Sequence, residues 1–160
     1  NTSNESDIRF IKIIYDYFNS DINDEYDFER CAAEIVKLMD KNVISIDVTR
    51  RIVDGGRDGV GKYSIGSSEN AIEVEFAMEA KRYSIANSVG VKQTSRLISR
   101  LRHRQFGILV TTSFVHHQAY KEITDDGHPI IIISAVDILK ILKQNGITGV
   151  RKLNSWLSQF

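Results

Sequence analysis

Glu79 and Lys81 stand one residue apart in a segment that alternates by the two-residue period of a strand. Ile72, Val74, Phe76, Met78 and Ala80 fall on one side of it, and Glu73, Glu75, Ala77, Glu79 and Lys81 on the other. Glu79 and Lys81 therefore project the same way. On the extended segment before it, Asp58 sits among Gly55, Gly56 and Gly59. Antiparallel neighbours lie about 5 Å apart, so two carboxylates and one ammonium group can share a small volume. Two carboxylates with a main-chain carbonyl suffice for a divalent cation such as magnesium, which keeps several waters. A lysine beside them can orient a water or offset negative charge. This set meets the needs of phosphodiester hydrolysis: a neutralised phosphate, an activated water and a stabilised leaving oxygen.

Each piece alone has a plainer reading. A Glu-x-Lys pair is common on protein surfaces, and Asp54, beside Gly55 and Gly56, is a natural turn former that also rivals Asp58 as the first metal ligand. Glu73 and Glu75 share the face of Glu79. Solvation at the outer end of the strand suits Glu73, whereas Glu75 could equally be auxiliary to the site. Gln93 could reach the site or cap the helix that it opens.

The charge distribution favours a polyanionic substrate. Net charge is zero. Residues 1–48 nevertheless carry eleven Asp/Glu against five Lys/Arg, whereas residues 81–105 contain Lys81, Arg82, Lys92, Arg96, Arg100, Arg102 and Arg104 and no acid. Lys92, Arg96, Arg100 and Arg104 repeat every four residues along the helix expected over 91–104. Like charges at that spacing repel, which points to an anionic partner. Phosphate contact by such a stripe gives sequence-independent affinity for nucleic acid.

The elements that would hold these residues follow from periodicity and turn chemistry. Helices are expected over 8–18, opened by Ser6 or Asp7, and over 28–39, capped by Asp27, with Glu29 and Glu34 on its solvated side. Extended segments are expected over 43–53, 57–65 and 71–83, broken by Asp54-Gly55-Gly56 and by residues 66–70. Beyond the basic helix, a strand over 106–112, a helix over 114–122, a strand over 130–134 and helices over 135–144 and 150–160 complete the chain. The order predicts an α/β sandwich: a mixed five-stranded sheet flanked by helices.

At 160 residues with 42% hydrophobic content, the chain forms one domain with its own core. It divides into a helix and loop over 1–26, a core over 27–144 and a closing helix over 145–160. Its single cysteine, Cys31, excludes an intrachain disulfide and fits a reducing cytoplasm. The longest aliphatic run, Ile130 to Ile133, is too short to span a bilayer, so no membrane role is expected. The polar start, Asn1 to Ser6, reads as a linker or cut edge of a longer chain. His103, His116, His117 and His128 lack the spacing of a zinc site.

Asp54-Gly55-Gly56-Arg57-Asp58-Gly59, then Glu79-Ala80-Lys81-Arg82-Tyr83, then Gly107 to Phe114 with Ala119 following, together resemble the Mrr-type catalytic domain of the PD-(D/E)XK nuclease superfamily. The resemblance runs from about Phe28 to Leu142. It implies a restriction-endonuclease-like sandwich and a magnesium-dependent endonuclease of type II or type IV, with manganese able to substitute. Asp58 and Glu79, with the carbonyl of Ala80, would be metal ligands and Lys81 the catalytic lysine. Many relatives carry Gln in place of Glu79, and Arg57 replaces the usual proline before the first Asp. Double-stranded DNA is the expected partner, contacted by Arg57, Lys62, Arg82, Lys92, Arg96, Arg100 and Arg104. A homodimer or larger homo-oligomer is expected, since two strands must be cut, and a DNA-recognition domain is expected elsewhere in the longer chain. Alternatives are a structure-selective nuclease of junction-resolving or repair type and a DNA-binding module without catalysis.

Overall fold

The structure, a computed structural model, describes residues 2–48 and 59–160, with side chains throughout except at residues 2–4, 102 and 103. Asp54, Arg57 and Asp58 lie outside the described residues.

The chain opens with helix α1 (Thr2–Phe18), so the polar start is helical rather than a linker. Asn, Ser and Thr cost a helix only a few tenths of a kcal/mol each, about 0.7 at most. A buried stripe of Phe10, Ile11, Ile14 and Phe18 offsets that cost, while Ile8 is exposed. Helix α2 (Glu25–Met39) begins one turn before the expected start. Asp24 caps it by accepting from the Asp27 amide at 3.0 Å, and Asp27 accepts from the Asp24 amide at 3.0 Å, a reciprocal capping box.

Three antiparallel strands follow, β1 (Val43–Asp47), β2 (Gly59–Ile65) and β3 (Ile72–Lys81). Gly59 pairs with Met78 and Gly61 with Phe76. The Phe76 ring lies over Gly61 so closely that a Cβ there would sit 2.1 Å from Cζ. Helix α3 (Val91–Ser99) ends five residues sooner than its charge stripe suggests and tightens into a 3-10 turn at Arg100–His103. Strand β4 (Phe106–Thr111) then pairs in parallel with β3, and β5 (Ile130–Ile133) in parallel with β4. The sheet order is β1-β2-β3-β4-β5, the expected mixed sheet. Helix α4 (His117–Asp125) starts three residues later than expected, with His116 as its cap, accepting from the Gln118 amide at 3.2 Å. Helices α5 (Ala135–Gln144) and α6 (Gly149–Leu157) close the chain.

The two faces of the sheet are covered unequally. Helices α1, α2, α5 and α6 bury the main core against Phe76, Met78, Ile108 and Val110. On the other face Leu97 of α3 packs with Ala77, Leu109 and Val89 in a much smaller cluster, flanked by Tyr83, Leu101 and Val115. Among the described residues no helix is long and apolar enough to cross a membrane.

Candidate active site

Strand β3 delivers the chemistry at its C-terminal end, where both faces are covered. Phe76 and Met78 enter the main core, so Ala77 and Glu79 must point into the smaller cluster. Glu79 is 1% exposed. A carboxylate so buried needs compensation, and two cations face the same oxygen: Lys81 Nζ lies 3.1 Å and Arg100 Nη1 3.7 Å from Glu79 Oε1. The Lys81 and Arg100 side chains are themselves only 12% and 15% exposed. Glu79 Oε2 is buried with no hydrogen-bond partner among the described residues. A buried acceptor without a donor is a costly arrangement, by about 1–3 kcal/mol or more for a charged group, and suits an atom that receives a ligand.

The strand end is fixed by its parallel neighbour. Thr111 Oγ1 donates to the Lys81 carbonyl at 2.8 Å, and Thr112 Oγ1 donates to the Tyr83 carbonyl at 2.8 Å. Thr111 Oγ1 also accepts from the Ser113 amide at 3.1 Å, while Ser113 Oγ donates to the Asn87 carbonyl at 2.6 Å. All three residues are fully buried. The polar run Thr111-Thr112-Ser113 thus satisfies backbone carbonyls that leave the sheet after Lys81.

The other candidate residues are distributed as follows. Ala80 lies between Glu79 and Lys81, on the opposite face. Glu75 is exposed and opposite Lys62 on the ladder, one strand-length of about 13 Å from Glu79 at ~3.3 Å per residue. Lys62 is exposed and 3.9 Å from Glu73. Gln93 caps α3, its Oε1 accepting from the Gly90 amide at 3.0 Å. Arg82 turns the other way and donates to the Phe18 carbonyl at the end of α1. The basic stripe divides: Lys92 and Arg96 are exposed, whereas Arg100 turns inward to Glu79 and Arg104 buries its Nε. The cause is the 3-10 turn, with 3.0 residues per turn in place of 3.6, which breaks the four-residue phase after Ser99.

One acidic residue is placed contrary to expectation. Glu29 is 5% exposed rather than solvated. With Phe28 it lines a cavity of about 310 Å³ whose other walls include Ala80, Lys81 and Arg82. The signal was present in the small residues Cys31, Ala32 and Ala33, which let α2 pack closely and bury most of its circumference. Among the described residues no three His, Cys, Asp or Glu side chains converge as a metal cage. Among the described residues the donor set is Glu79, with the Ala80 main chain beside it. That set fits a hard cation once a further carboxylate is supplied.

Comparison with known proteins accords with this geometry. The Mrr catalytic family model, described as restriction endonuclease, matches residues 21–142. Among solved structures the chain is similar to the DNA modification-dependent restriction endonuclease AspBHI, with a TM-score of 0.88 and 45% identity, over 97% of this chain and 39% of that one. Its fold is also similar to that of the MspJI restriction endonuclease in complex with a 27-mer oligonucleotide, with a TM-score of 0.79 and 22% identity, over 96% of this chain and 35% of that one. The chain thus spans well under half the length of either. No curated protein matches it.

Proposed function

This chain belongs to the Mrr-type restriction endonuclease family, and we propose that it is the magnesium-dependent catalytic part of a modification-dependent restriction enzyme, of type II or type IV, that cuts double-stranded DNA in a prokaryotic cytoplasm. The observation that carries the reading is Glu79, buried on a central strand with one oxygen facing two cations and the other unpartnered. Glu79, Asp58 and the Ala80 carbonyl would hold the cation, whose chemistry there would be charge neutralisation at the scissile phosphate and activation of a water. Manganese substitutes because it accepts the same oxygen ligands. Lys81, held beside Glu79, orients that water and offsets charge on the phosphate. Asp58 is favoured over Asp54 by its covalent attachment to Gly59, which pairs with Met78, the neighbour of Glu79.

The exposed Lys92 and Arg96 supply phosphate contacts. Recognition of the modified base belongs to another part of a longer chain, a reading supported by the length of the two solved neighbours. Cutting both strands requires two such sites, and α1 or α6 offers the face for a homodimer. Plasmid prepared with and without methylation tests the whole reading. Magnesium or manganese is expected to support cleavage of the methylated form, and chelation to abolish it. Asp58→Ala, Glu79→Ala and Lys81→Ala are expected to be inactive and Asp54→Ala active. Wild-type cleavage by Asp58→Ala would overturn the ligand assignment.

A further inference from the structure

We propose that Thr111 is a positioning residue for Lys81: its hydroxyl clamps the backbone at the last residue of β3 and so holds the ammonium group where the reaction needs it. The inference rests on the reading of Lys81 as the catalytic lysine. Lys81 ends its strand, with Thr111 as its ladder partner on β4. Beyond it the chain leaves the sheet, and the last ladder bond, from the Thr112 amide to the Lys81 carbonyl, is long at 3.3 Å. Element ends held by one such bond fray readily. Here the same carbonyl also accepts from the Tyr83 amide at 3.1 Å and from Thr111 Oγ1 at 2.8 Å, the shortest of the three. A carbonyl has two lone pairs, so three donors over-determine its direction.

The clamp is itself rigid. Thr111 is β-branched, which restricts its side-chain torsion, and its Oγ1 accepts from the Ser113 amide at 3.1 Å while it donates to Lys81. Full burial excludes water and strengthens both bonds. The Lys81 ammonium lies at the end of a flexible four-carbon stem, 3.1 Å from Glu79 Oε1. A small rotation of the Lys81 backbone is magnified at Nζ, and a displacement of about 1 Å costs on the order of 10²-fold in rate. Two sibling bonds differ in where they end. Thr112 Oγ1 donates to the Tyr83 carbonyl at 2.8 Å, and Ser113 Oγ to the Asn87 carbonyl at 2.6 Å. All three hydroxyls belong to one buried run and tie down one segment. Only that of Thr111 ends on the residue that carries the ammonium.

Initial rates of plasmid nicking in magnesium, measured against plasmid concentration and expressed per folded molecule by circular dichroism, test the clamp. Thr111→Val keeps the shape of the side chain and removes the hydroxyl. It is expected to lower kcat about 10²-fold with KM within about twofold of wild type. Thr111→Ser keeps the hydroxyl and is expected to stay within about threefold of wild type in both. Thr111→Cys, whose thiol is a weaker donor, falls between the two and takes the place of Thr111→Val if that variant does not fold. Ser113→Ala removes a bond of the same kind, so it lowers the melting midpoint comparably but leaves kcat within about twofold of wild type. Wild-type kcat in Thr111→Val, or in Thr111→Cys in its place, overturns the clamp. An equal fall of kcat in Ser113→Ala also overturns it, since the effect would then be one of stability, as does a Thr111→Ser variant no faster than Thr111→Val. Lys81→Ala separates the two layers. If it cleaves like wild type, the reading of Lys81 itself fails. If it is inactive while the Thr111 variants keep wild-type kcat, only the clamp fails.

Discussion

The two faces of the sheet solve different problems. Beneath α1, α2, α5 and α6 the contacts are made by large side chains, among them Phe18, Phe28, Ile35, Phe76, Met78, Ile138 and Leu142, all essentially inaccessible. Beneath α3, among the described residues, only Ala77, Val89, Leu97 and Leu109 form a buried apolar cluster. The first face holds the strands in place with redundancy. The second has little apolar material to lose, and it is there that Glu79, Lys81 and Arg100 meet. A buried carboxylate with an unpartnered oxygen is tolerated because the strand that carries it is secured from the other side. A site on a rigid element keeps its geometry even when its own contacts are costly.

Substitutions that act on one face alone break or sharpen this contrast. Glu79→Ala removes the carboxylate from the polar face, so cleavage is expected to fall by about 10³-fold or more, while the melting midpoint stays near wild type. Plasmid nicking and circular dichroism read the two effects separately. A large loss of stability in that variant would show that the polar face also carries the fold. Leu142→Ala, on the opposite face, is expected to cost about 2–5 kcal/mol in chemical unfolding and to leave the turnover of the folded fraction unchanged. Gly61→Ala forces the Phe76 ring out of place and is expected to cost about 1–3 kcal/mol. The double substitution of Lys92 and Arg96 by Ala should leave stability within about 0.5 kcal/mol. It should also reduce the slope of log affinity against log salt by about 2, one unit for each lost phosphate contact.

Much of the frame was legible from local pattern. The alternation from Ile72 to Lys81 set Glu79 and Lys81 on one face, and a mixed five-stranded sheet followed from turns and helix breaks. That same alternation made Glu75 and Glu79 equivalent, and the structure separates them. The closing turn of α3 covers only the second half of β3, a contact between segments some twenty residues apart in the chain. The inward turn of Arg100 was invisible for a related reason. A stripe every four residues assumes an unbroken α-helix, and nothing in Arg100-Leu101-Arg102-His103 announces a 3-10 turn. Gly107 is the nearest thing to a signal, since Leu101 and Leu97 approach it so closely that a Cβ would lie 3.1 Å from Leu101 Cδ2. Helix starts erred by one turn where two acidic residues, Asp24 and Asp27, could each serve as a cap.

The hydrogen bond from Arg82 to the Phe18 carbonyl is a mechanical joint. Phe18 ends α1, and Arg82 directly follows Lys81 in the chain. A load applied to the first helix is therefore delivered to the strand terminus next to Lys81 as well as to the core that α1 helps to bury. Stiffness at that joint sets how faithfully a pull on α1 becomes a displacement of Lys81.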